Sequence, residues 1–375
     1  MTLDWLAEIR KRTQILSRQG KSLNKRTVFT ISSTSKTDPS DRPYLTPLRE
    51  NPGELVSGVV VRTLDQGALA AWVLEGVVDR VYVDAEAKKG IKTEHDAQLF
   101  LSAGVPTLEG YLKGKDWVGT TLPEVCFPYF KNSEARIFKP NDLTVESVWF
   151  FLMEKKPAPG VVVILGAGNI GFKLGLKLVE TGYNVAMVRR DKSALQKLVD
   201  TIELVKPPHS PGKSFIPLDL NEILSKADVV LGCSDGTPVI TEDIVKIVPK
   251  DCLILDVGKG TLAGAAVEMA HSRNLEIYRT DITSGLDGFL AGIEKNSHII
   301  KYELGRAEIE AELFVISGGY LGRYEDVIVD NFSNPKFILG MADGRGDLIR
   351  ELKDSQTELI RKVKDYILYA VRESI

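Results

Sequence analysis

Short apolar runs alternate with amphipathic, helix-like segments through the middle of the chain. Between residues 161 and 279 the apolar runs predict six strands, at Val161–Leu165, Asn184–Val188, Ser214–Leu218, Ala227–Cys233, Cys252–Val257 and Leu275–Arg279. The segments between them predict five helices, at Asn169–Thr181, Lys192–Leu204, Leu220–Ser225, Glu242–Ile247 and Ala263–Ser272. Strands and helices in strict alternation are typical of a doubly wound parallel sheet.

The segment before residue 140 carries a second, shorter pattern of the same kind. It predicts a helix over residues 1–18, strands at Val28–Ser32 and Val56–Arg62, a helix at Asp65–Leu74 and a strand at Arg80–Asp84. This pattern contains one βαβ unit, which indicates an α/β domain. The proline-rich stretch Thr34–Pro52 is predicted as a loop, either a solvated connection or a substrate loop that presents Arg42, Tyr44 and Arg49.

Two further segments flank the central alternation. A helix with Asn141 as its N-cap is predicted to bridge the two α/β regions. Near the end of the chain, Ala311–Ser317 and Tyr324–Asp330 are strand-like with glycines between them, which predicts a hairpin or a crossing between domains. Residues 346–373 carry one apolar stripe at helical spacing. We expect this helix to pack on the N-terminal domain or to form a subunit interface, so a homodimer is one expectation.

Composition and charge narrow the class of protein. The chain has 375 residues, 43% hydrophobic and 26% charged, which is typical of a soluble globular protein and long enough for two domains. Its net charge of -3 gives no reason to expect nucleic acid as a partner, and no apolar stretch is long enough to cross a membrane. The charged start of the chain does not resemble a secretory signal, so we expect a cytoplasmic protein.

Cysteine and histidine spacing predicts neither disulfides nor a metal site. Cys126, Cys233 and Cys252 lie far apart, and we interpret them as small buried hydrophobic residues in a reducing compartment. The four histidines show no metal-ligand spacing, at His95, His209, His271 and His298.

The richest motif follows the first strand of the central alternation. Gly166 and Gly168 follow that strand, and Gly171 lies in the first turn of a predicted helix that opens with Asn169 and Ile170. In a dinucleotide-binding fingerprint the first glycine makes the tight turn, the second lets the pyrophosphate approach the backbone, and the third lets the helix pack on the strand. An ordinary tight turn is the alternative, but the strand–turn–helix–strand context favours cofactor binding.

The end of the second strand bears on the choice between NAD and NADP. An acid at this position would accept hydrogen bonds from the ribose of NAD, whereas the chain carries Arg189 followed by Arg190. Two guanidinium groups suit the 2′-phosphate of NADP. Asp191 would serve NAD if the strand ended later, so the sequence favours NADP and leaves NAD open.

Two more loops are predicted at the carboxyl edge of the same sheet. Small residues, Cys233 and Ser234, follow the fourth strand, and Gly258 follows the fifth. Bulky side chains there would block the nicotinamide ribose. Ligands bind at this edge in doubly wound folds, so we assign these three residues to the cofactor site.

Candidates for proton transfer follow strand ends. Asp84 and Lys88 come after a strand of the N-terminal domain, and Asp281 follows the sixth strand of the central sheet. Hydride transfer needs a nearby proton donor or acceptor, which these side chains could supply. A solvated charged loop remains the alternative for Lys88, and a helix cap for Asp281. Arg323, in a glycine-rich turn, could bind a carboxylate or only decorate the turn.

Taken together, the glycine fingerprint, the basic end of the second strand, the Ala227–Val230 run that leads into small residues and the motif Leu255–Gly258 resemble a known group. They are similar to two-domain dehydrogenases of the shikimate dehydrogenase, methylenetetrahydrofolate dehydrogenase and glutamyl-tRNA reductase type. The resemblance covers about residues 160–282. It implies an N-terminal substrate domain and a cleft that holds the nicotinamide. It carries over no catalytic residue.

These observations predict an α/β protein with a doubly wound parallel Rossmann sheet and a smaller N-terminal α/β domain completed by a C-terminal helix. The expected boundaries are 1–140 for the substrate and catalytic domain, 141–310 for the dinucleotide-binding domain and 311–375 for a hairpin and long helix. We expect an NADP(H)-dependent oxidoreductase that acts on a small polar keto, hydroxy, imino or amino compound. Alternatives are an enzyme with retained NAD, as in adenosylhomocysteine hydrolases, a non-catalytic redox sensor, or one component of a larger biosynthetic assembly.

Overall fold

In the computed structural model the chain forms two compact units, Met1–Gly285 and Leu286–Ile375. The structure describes residues 4–34, 36, 40–86, 88, 91–93, 96–105 and 120–373, with the backbone alone for residues 370–373. Within these ranges, none of the helices combines the length and the apolar character that a bilayer crossing requires. The three cysteines are free thiols.

The first unit begins with a six-stranded sheet. Its elements are α1 (Asp4–Leu23), β1 (Arg26–Ser33), β2 (Tyr44–Leu45), β3 (Arg49–Glu50), β4 (Glu54–Val61), α2 (Leu64–Leu74), β5 (Arg80–Asp84), α3 (Ala97–Ala103), α4 (Leu122–Cys126) and β6 (Glu134–Phe138). The order is β2-β4-β1-β5-β6, with β3 also paired to β4. Strands β4, β1, β5 and β6 are parallel. Every residue of β4 and β5 is buried, as expected for strands covered on both faces.

Three local features of this region differ from the pattern-based prediction. Strand β6 escaped it because Glu134 and Arg136 alternate with small or apolar residues on a strand that is mostly not buried. The proline-rich loop contains the two short strands β2 and β3, which pair antiparallel with β4. The following helix, α5 (Pro140–Lys155), starts at Pro140 with Lys139 as its N-cap, so the N-cap assignment of Asn141 was wrong. Proline is favoured at the first helical position because it has no N–H to leave unpaired.

The second sheet of this unit is the doubly wound one. After α5 its elements are β7 (Val161–Leu165), α6 (Asn169–Glu180), β8 (Asn184–Val188), α7 (Lys192–Val205), β9 (Lys213–Phe215), α8 (Leu220–Leu224), β10 (Val229–Gly232), α9 (Glu242–Ile247), β11 (Leu253–Asp256), α10 (Gly264–Ser272) and β12 (Glu276–Arg279). All six strands are parallel, in the order β9-β8-β7-β10-β11-β12. The predicted Rossmann sheet is thereby confirmed, with its switch point between β7 and β10.

Side chains of the central strand β7 divide between two cores. Val162 and Ile164 pack with Leu174 of α6 and Val148 of α5 on one face. On the other face Val163 joins a separate cluster with residues of α9 and α10. Successive side chains of a strand point to opposite faces, so the apolar run must be buried on both sides. The strand is therefore held rigidly where the glycine turn leaves it.

The second unit is built around a four-stranded sheet. It follows α11 (Thr283–His298) and a π-helical turn (Ile299–Glu303), and contains β13 (Gly305–Glu310), β14 (Leu313–Ser317), β15 (Val327–Val329), β16 (Ile338–Met341) and α12 (Asp354–Glu373). The order is β13-β14-β15-β16. Val363 and Ile367 of α12 pack against Val315, Val327 and Met341 of this sheet. The apolar stripe, predicted to cover the N-terminal domain or to form a subunit interface, thus covers the sheet of its own unit.

The tail departs from the sequence prediction in three ways. Strands β14 and β15 are parallel, so they do not form the predicted hairpin; β14 forms a hairpin with β13 instead. Strand β13 therefore belongs to the second unit, although residues up to 310 were assigned to the dinucleotide-binding domain. Its alternating charges concealed it. Helix α12 starts at Asp354 and not at residue 346, because the preceding residues include Gly346 at φ 105° and an antiparallel bridge at Leu348.

Candidate functional site

The turn after β7 has a shape that only glycine allows. Gly166 adopts φ 105°, and its N–H donates to the carbonyl of Val188 at 3.0 Å. A Cβ added to Gly166 would lie 2.6 Å from the backbone nitrogen of Ser234. Gly166 therefore makes the tight turn out of β7 and lets the turn press against the loop after β10.

The other two glycines of the motif have different surroundings. A Cβ on Gly171 would lie 2.6 Å from the carbonyl oxygen of Gly166, so α6 packs as closely on the turn as backbone permits. A Cβ on Gly168 would meet no atom within 4 Å. Gly168 is the N-cap of α6 and offers no side-chain cap to the first-turn N–H groups. Open space in front of N–H groups at a helix start fits the pyrophosphate of a dinucleotide.

Asn169 and Ile170 begin α6. Asn169 accepts a hydrogen bond through its Oδ1 from the side-chain nitrogen of Asn141, at 3.2 Å. Ile170 is half-buried against the core that lies under α5 and α6. Asn169 thus connects the fingerprint helix to the start of α5, whereas Ile170 anchors the helix to the sheet.

The end of β8 separates the roles of the three residues that follow it. The guanidinium of Arg189 donates to the carbonyl of Ala167 at 3.0 Å, so this side chain lies over the glycine turn. Arg190 is exposed. Asp191 is the N-cap of α7 and accepts from the N–H of Ala194 at 2.9 Å. The cation is therefore directed at the turn, and the carboxylate serves the helix.

The loops after β10 and β11 touch each other. The N–H of Cys233 donates to the carbonyl of Leu165 at 2.8 Å. Burial raises the pKa of the Cys233 thiol, which makes this thiol unreactive. The hydroxyl of Ser234 donates to the carbonyl of Thr237 in its own loop. A Cβ on Gly258 would lie 1.9 Å from the carbonyl oxygen of Ser234, so the two loops can meet only because this residue is glycine.

Asp256, at the end of β11, holds the loop that follows. Its carboxylate accepts from the N–H of Gly260 and from the N–H and hydroxyl of Thr261, at 2.7–3.0 Å. Burial acts against the charged form, but these hydrogen bonds prevail and lower the pKa of Asp256. Arg279 Nε adds a further contact at 3.2 Å. The carboxylate is therefore ionised and already engaged, which fixes the position of Lys259 between its two glycines.

Asp84 and Lys88 form an ion pair at the end of β5. Asp84 is 0% exposed and its Oδ2 accepts from Lys88 Nζ at 2.9 Å. The same oxygen accepts from the N–H and the hydroxyl of Ser33, at the end of the neighbouring strand β1. Lys88 Nζ also donates to the carbonyl of Ser33 at 3.1 Å. The N–H of Glu86 donates to the other oxygen, Oδ1, at 2.8 Å, so four donors hold this carboxylate and two acceptors hold the ammonium group.

The pair connects to the fingerprint helix through Glu86. Glu86 Oε2 lies 3.8 Å from Lys88 Nζ and accepts from the N–H of Asn141 at 3.0 Å. Asn141 in turn donates to Asn169, the first residue of α6. Burial raises the pKa of Glu86, and the nearby Asp84 adds to that effect. A continuous polar path therefore joins the first sheet to the glycine turn of the second.

Lys36 makes a second connection between the two sheets. It lies three residues beyond β1, and its Nζ donates to the carbonyl of Lys259. A Cβ on Gly236 would lie 3.0 Å from the same nitrogen. The buried Arg62 holds the Lys36 loop by donating to the carbonyls of Lys36 and Arg42. The loop after β1 thus faces the loops after β10 and β11.

Asp281 and Arg323 both make hydrogen bonds to residues close to them in the sequence. The side chain of Asp281 is 72% exposed and accepts from the N–H and the hydroxyl of Thr283, the first residue of α11. The hydrogen bond from the Thr283 hydroxyl lowers the pKa of Asp281. Arg323 lies in the second unit, where its N–H donates to Asp326 within a turn.

Sequence reasoning passed over four residues of this site: Lys36, Glu86, Asn141 and Lys259. Lys259 and Glu86 follow directly on strands at a carboxyl edge, a signal that could have identified them. Lys36 lies three residues beyond β1 and carries the same signal, whereas Asn141 carries none, because its contacts are made with residues far away in the sequence.

Comparison with known proteins agrees with the fold of the second sheet. Residues 161–255 match the family model described as NADP oxidoreductase coenzyme F420-dependent. No curated protein matches the chain by sequence.

Several solved structures are similar at low identity. A dipicolinate synthase chain from Bacillus halodurans is 13% identical, with 68% of this chain and 89% of that chain covered and a TM-score of 0.33. Glutamate dehydrogenase from Thermus thermophilus is 13% identical, with 74% and 70% covered and a TM-score of 0.35. Shikimate 5-dehydrogenase from Listeria monocytogenes is 11% identical, with 40% and 54% covered and a TM-score of 0.31.

The family match covers β7 to β11, the part of the chain that contains the glycine turn and the switch point. Strand order, turn geometry and family match therefore agree with the prediction from the motifs. Residues 161–255 form a Rossmann domain that matches this family model.

Proposed function

We propose that this protein is an NADP(H)-dependent oxidoreductase that moves a hydride to or from a small polar keto, hydroxy, imino or amino compound. The observation that carries the proposal is the Lys88–Asp84 pair. It belongs to the first sheet, yet the path through Glu86 and Asn141 connects it to the fingerprint helix. Carbonyl or imine reduction needs a proton donor as well as a hydride, and an ammonium group connected in this way to a dinucleotide turn can supply the proton.

The roles of the residues follow from their contacts. In the reducing direction, the Lys88 ammonium group donates a proton to the carbonyl oxygen or imine nitrogen of the substrate. Asp84 holds this ammonium group in place, since its carboxylate is buried and bonded to Ser33 and Lys88. A bound nicotinamide cofactor supplies the hydride, or accepts it in the reverse direction. Solvent then restores the proton to Lys88.

The preference for NADP is supported by the end of β8. Arg189 lies over the glycine turn, where the adenosine half of the cofactor is expected, and its guanidinium suits a 2′-phosphate. Asp191 is engaged at the start of α7 and is therefore a poor ribose acceptor. Both contacts favour NADP over NAD.

Turnover by Lys88 variants tests the reaction. The assay follows NADPH oxidation with a panel of 2-oxo acids, with and without ammonium. Lys88→Arg keeps the charge next to Asp84 but cannot give up a proton at neutral pH. We expect it to lower kcat by about 100-fold or more while NADPH affinity stays the same. The control Lys250→Met, at an exposed position, should retain full activity. Normal turnover by Lys88→Arg would contradict the assignment.

The cofactor preference has its own test. Arg189→Asp should weaken NADPH binding by about 10- to 100-fold, the range for loss of a charge-assisted hydrogen bond followed by repulsion of the 2′-phosphate. NADH binding should change by only a few-fold. Fluorescence titration with both nucleotides measures the difference, and equal losses would exclude Arg189 as the phosphate contact.

A further inference from the structure

A group of cations faces the loops at the nicotinamide side of the switch point. Lys36 comes from the loop after β1, Arg49 from β3 and Lys259 from the loop after β11. We call these three residues the cation cluster. Lys36 Nζ donates to the carbonyl of Lys259, and both Arg49 and Lys36 lie close enough to Lys259 to lower the pKa of its ammonium group, after burial. Three separate segments of the chain thus bring positive charge to one place.

The cluster is only partly neutralised by carboxylates. Arg49 NH2 lies 3.9 Å from Asp281 Oδ1, and Arg49 Nε donates to the hydroxyl of Thr283 at 3.0 Å. Asp256 does not neutralise the cluster, since its oxygens are engaged with Gly260, Thr261 and Arg279. Among the residues that the structure describes, neither Lys36 nor Lys259 forms an ion pair with an acid. Three cations and Asp281 leave a local charge of about +2 at neutral pH.

The backbone at Lys259 is a second, independent sign. Lys259 adopts φ 60°, in the left-handed region that non-glycine residues rarely occupy. Glycines stand on both sides of it, yet the strained position itself carries a long cationic side chain. Such outliers cluster at ligand sites, where the surrounding structure holds the strained residue in place.

We propose that the cation cluster binds the carboxylates of the substrate, and that the substrate is a dicarboxylate. This deepens the proposed function and rests on it for the identity of the reaction. Two carboxylates match the local charge, whereas one would leave an unneutralised cation. The planar guanidinium of Arg49 also suits bidentate contact with a carboxylate.

The phosphates of the cofactor are expected elsewhere. The pyrophosphate fits the start of α6, after β7, and the 2′-phosphate fits Arg189, after β8. Lys259 follows β11, which lies two strands from β7 on the opposite side of the switch point from β8. At the usual strand spacing this places the end of β11 about 10 Å from the glycine turn. The cluster is thus on the side where a substrate would meet the nicotinamide.

Calorimetric titration with malonate, acetate and inorganic phosphate tests the proposal, with and without NADPH. We expect malonate to bind the wild-type protein about tenfold more tightly than acetate, since it adds one ion pair. Lys259→Met and Lys36→Met should each weaken malonate binding by about 30-fold or more. Lys250→Met removes the same charge from an exposed position and should change it less than about twofold.

Different results would overturn the dicarboxylate proposal and the proposed function. Equal and weak binding of malonate and acetate would overturn the proposal, as would tighter binding of phosphate or identical behaviour of Lys259→Met and Lys250→Met. A loss of NADPH affinity in Lys259→Met as large as the loss for malonate would assign the cluster to the cofactor and also overturn it. A wild-type protein that binds malonate through Lys259 but does not bind NADPH would keep the cluster and overturn the proposed function.

Discussion

The glycine turn after β7 and the ion pair after β5 both lie at the carboxyl end of a parallel strand. The turn is built from backbone atoms, however, and the pair from side-chain atoms. The turn is made of backbone, and contacts from Val188 and Ser234 leave room only for glycine at its first position. The pair is made of side chains, and its geometry depends on Ser33, fifty-one residues before Asp84. Both sites therefore depend on contacts with residues far along the chain, but only the backbone site leaves a glycine motif in the local sequence.

The largest effect should come from breaking the side-chain site. Asp84→Asn removes the negative charge that holds Lys88 and places an amide group against the donors of Ser33. Loss of one partner of a buried ion pair costs about 3–5 kcal/mol, so the free energy of unfolding measured in urea should fall by that amount.

Asp79→Asn provides a matched control at the other end of β5. Asp79 also accepts from a backbone N–H and a hydroxyl, those of Thr27, but it is exposed and its partner is not a lysine. We expect a cost of about 1 kcal/mol. Equal costs for Asp79→Asn and Asp84→Asn would mean that the Lys88 charge contributes nothing.

The backbone site should separate stability from binding. Gly166→Ala places a Cβ 2.6 Å from Ser234 nitrogen at φ 105° and should lower the free energy of unfolding by about 2–4 kcal/mol. Gly168→Ala has open space and should change it by less than about 1 kcal/mol. It should nevertheless weaken NADPH binding by about tenfold or more, because the methyl group stands where the pyrophosphate is expected. A Gly168→Ala protein with wild-type affinity would argue against that location.

A smaller effect is expected at the start of α7. Asp191→Ala removes the N-cap hydrogen bond to Ala194 and should cost about 1 kcal/mol of stability in thermal unfolding. The ratio of NADPH to NADH affinity should stay the same, since the side chain is engaged with the helix. A shift of this ratio towards NADPH would instead assign Asp191 to the ribose.

The smallest effect concerns pH. Burial lowers the pKa of Lys259, Arg49, Lys36 and Arg279 lower it further, and Asp281 opposes them. Because only the protonated form attracts an anion, malonate affinity should fall as pH rises through this lowered pKa. We expect a loss of about threefold over a pH range that lies below the ordinary lysine value of about 10.4. Calorimetry across this range measures it, and Lys259→Arg should abolish the dependence.

The fold could be predicted where the apolar residues follow a regular pattern along the chain. The six strands of the second sheet were assigned from apolar runs, and the structure buries most residues of the four inner strands, β8, β7, β10 and β11. Prediction failed where tertiary contacts override the local pattern. Strand β13 carries alternating charges, and α11 contains Gly285, Gly288 and Gly292, which weaken a helical pattern. The partner of the α12 stripe was also missed, since periodicity shows a buried face but not what covers it.

The candidate site divides in the same manner. The glycines, Arg189 and the Asp84–Lys88 pair were assigned from motif and strand-end position alone. Lys36 was not, because only the fold brings it to Lys259, 223 residues away. Asp281 follows a strand in the same way, and its carboxylate accepts from the N–H of Thr283, so its role in proton transfer stays a prediction. The position at a strand end predicts where a residue lies, whereas its hydrogen-bond and ion-pair partners determine its role.

The central claim is that the glycine turn binds a pyridine nucleotide and that Arg189 selects NADP(H). Fluorescence titration of the purified protein with NADPH and with NADH, in the absence of substrate, tests it most directly. We expect saturable binding of both nucleotides, with NADPH bound at least about tenfold more tightly than NADH. Tighter binding of NADH would contradict the role of Arg189, and no binding of either nucleotide would reduce the glycine motif to a structural turn.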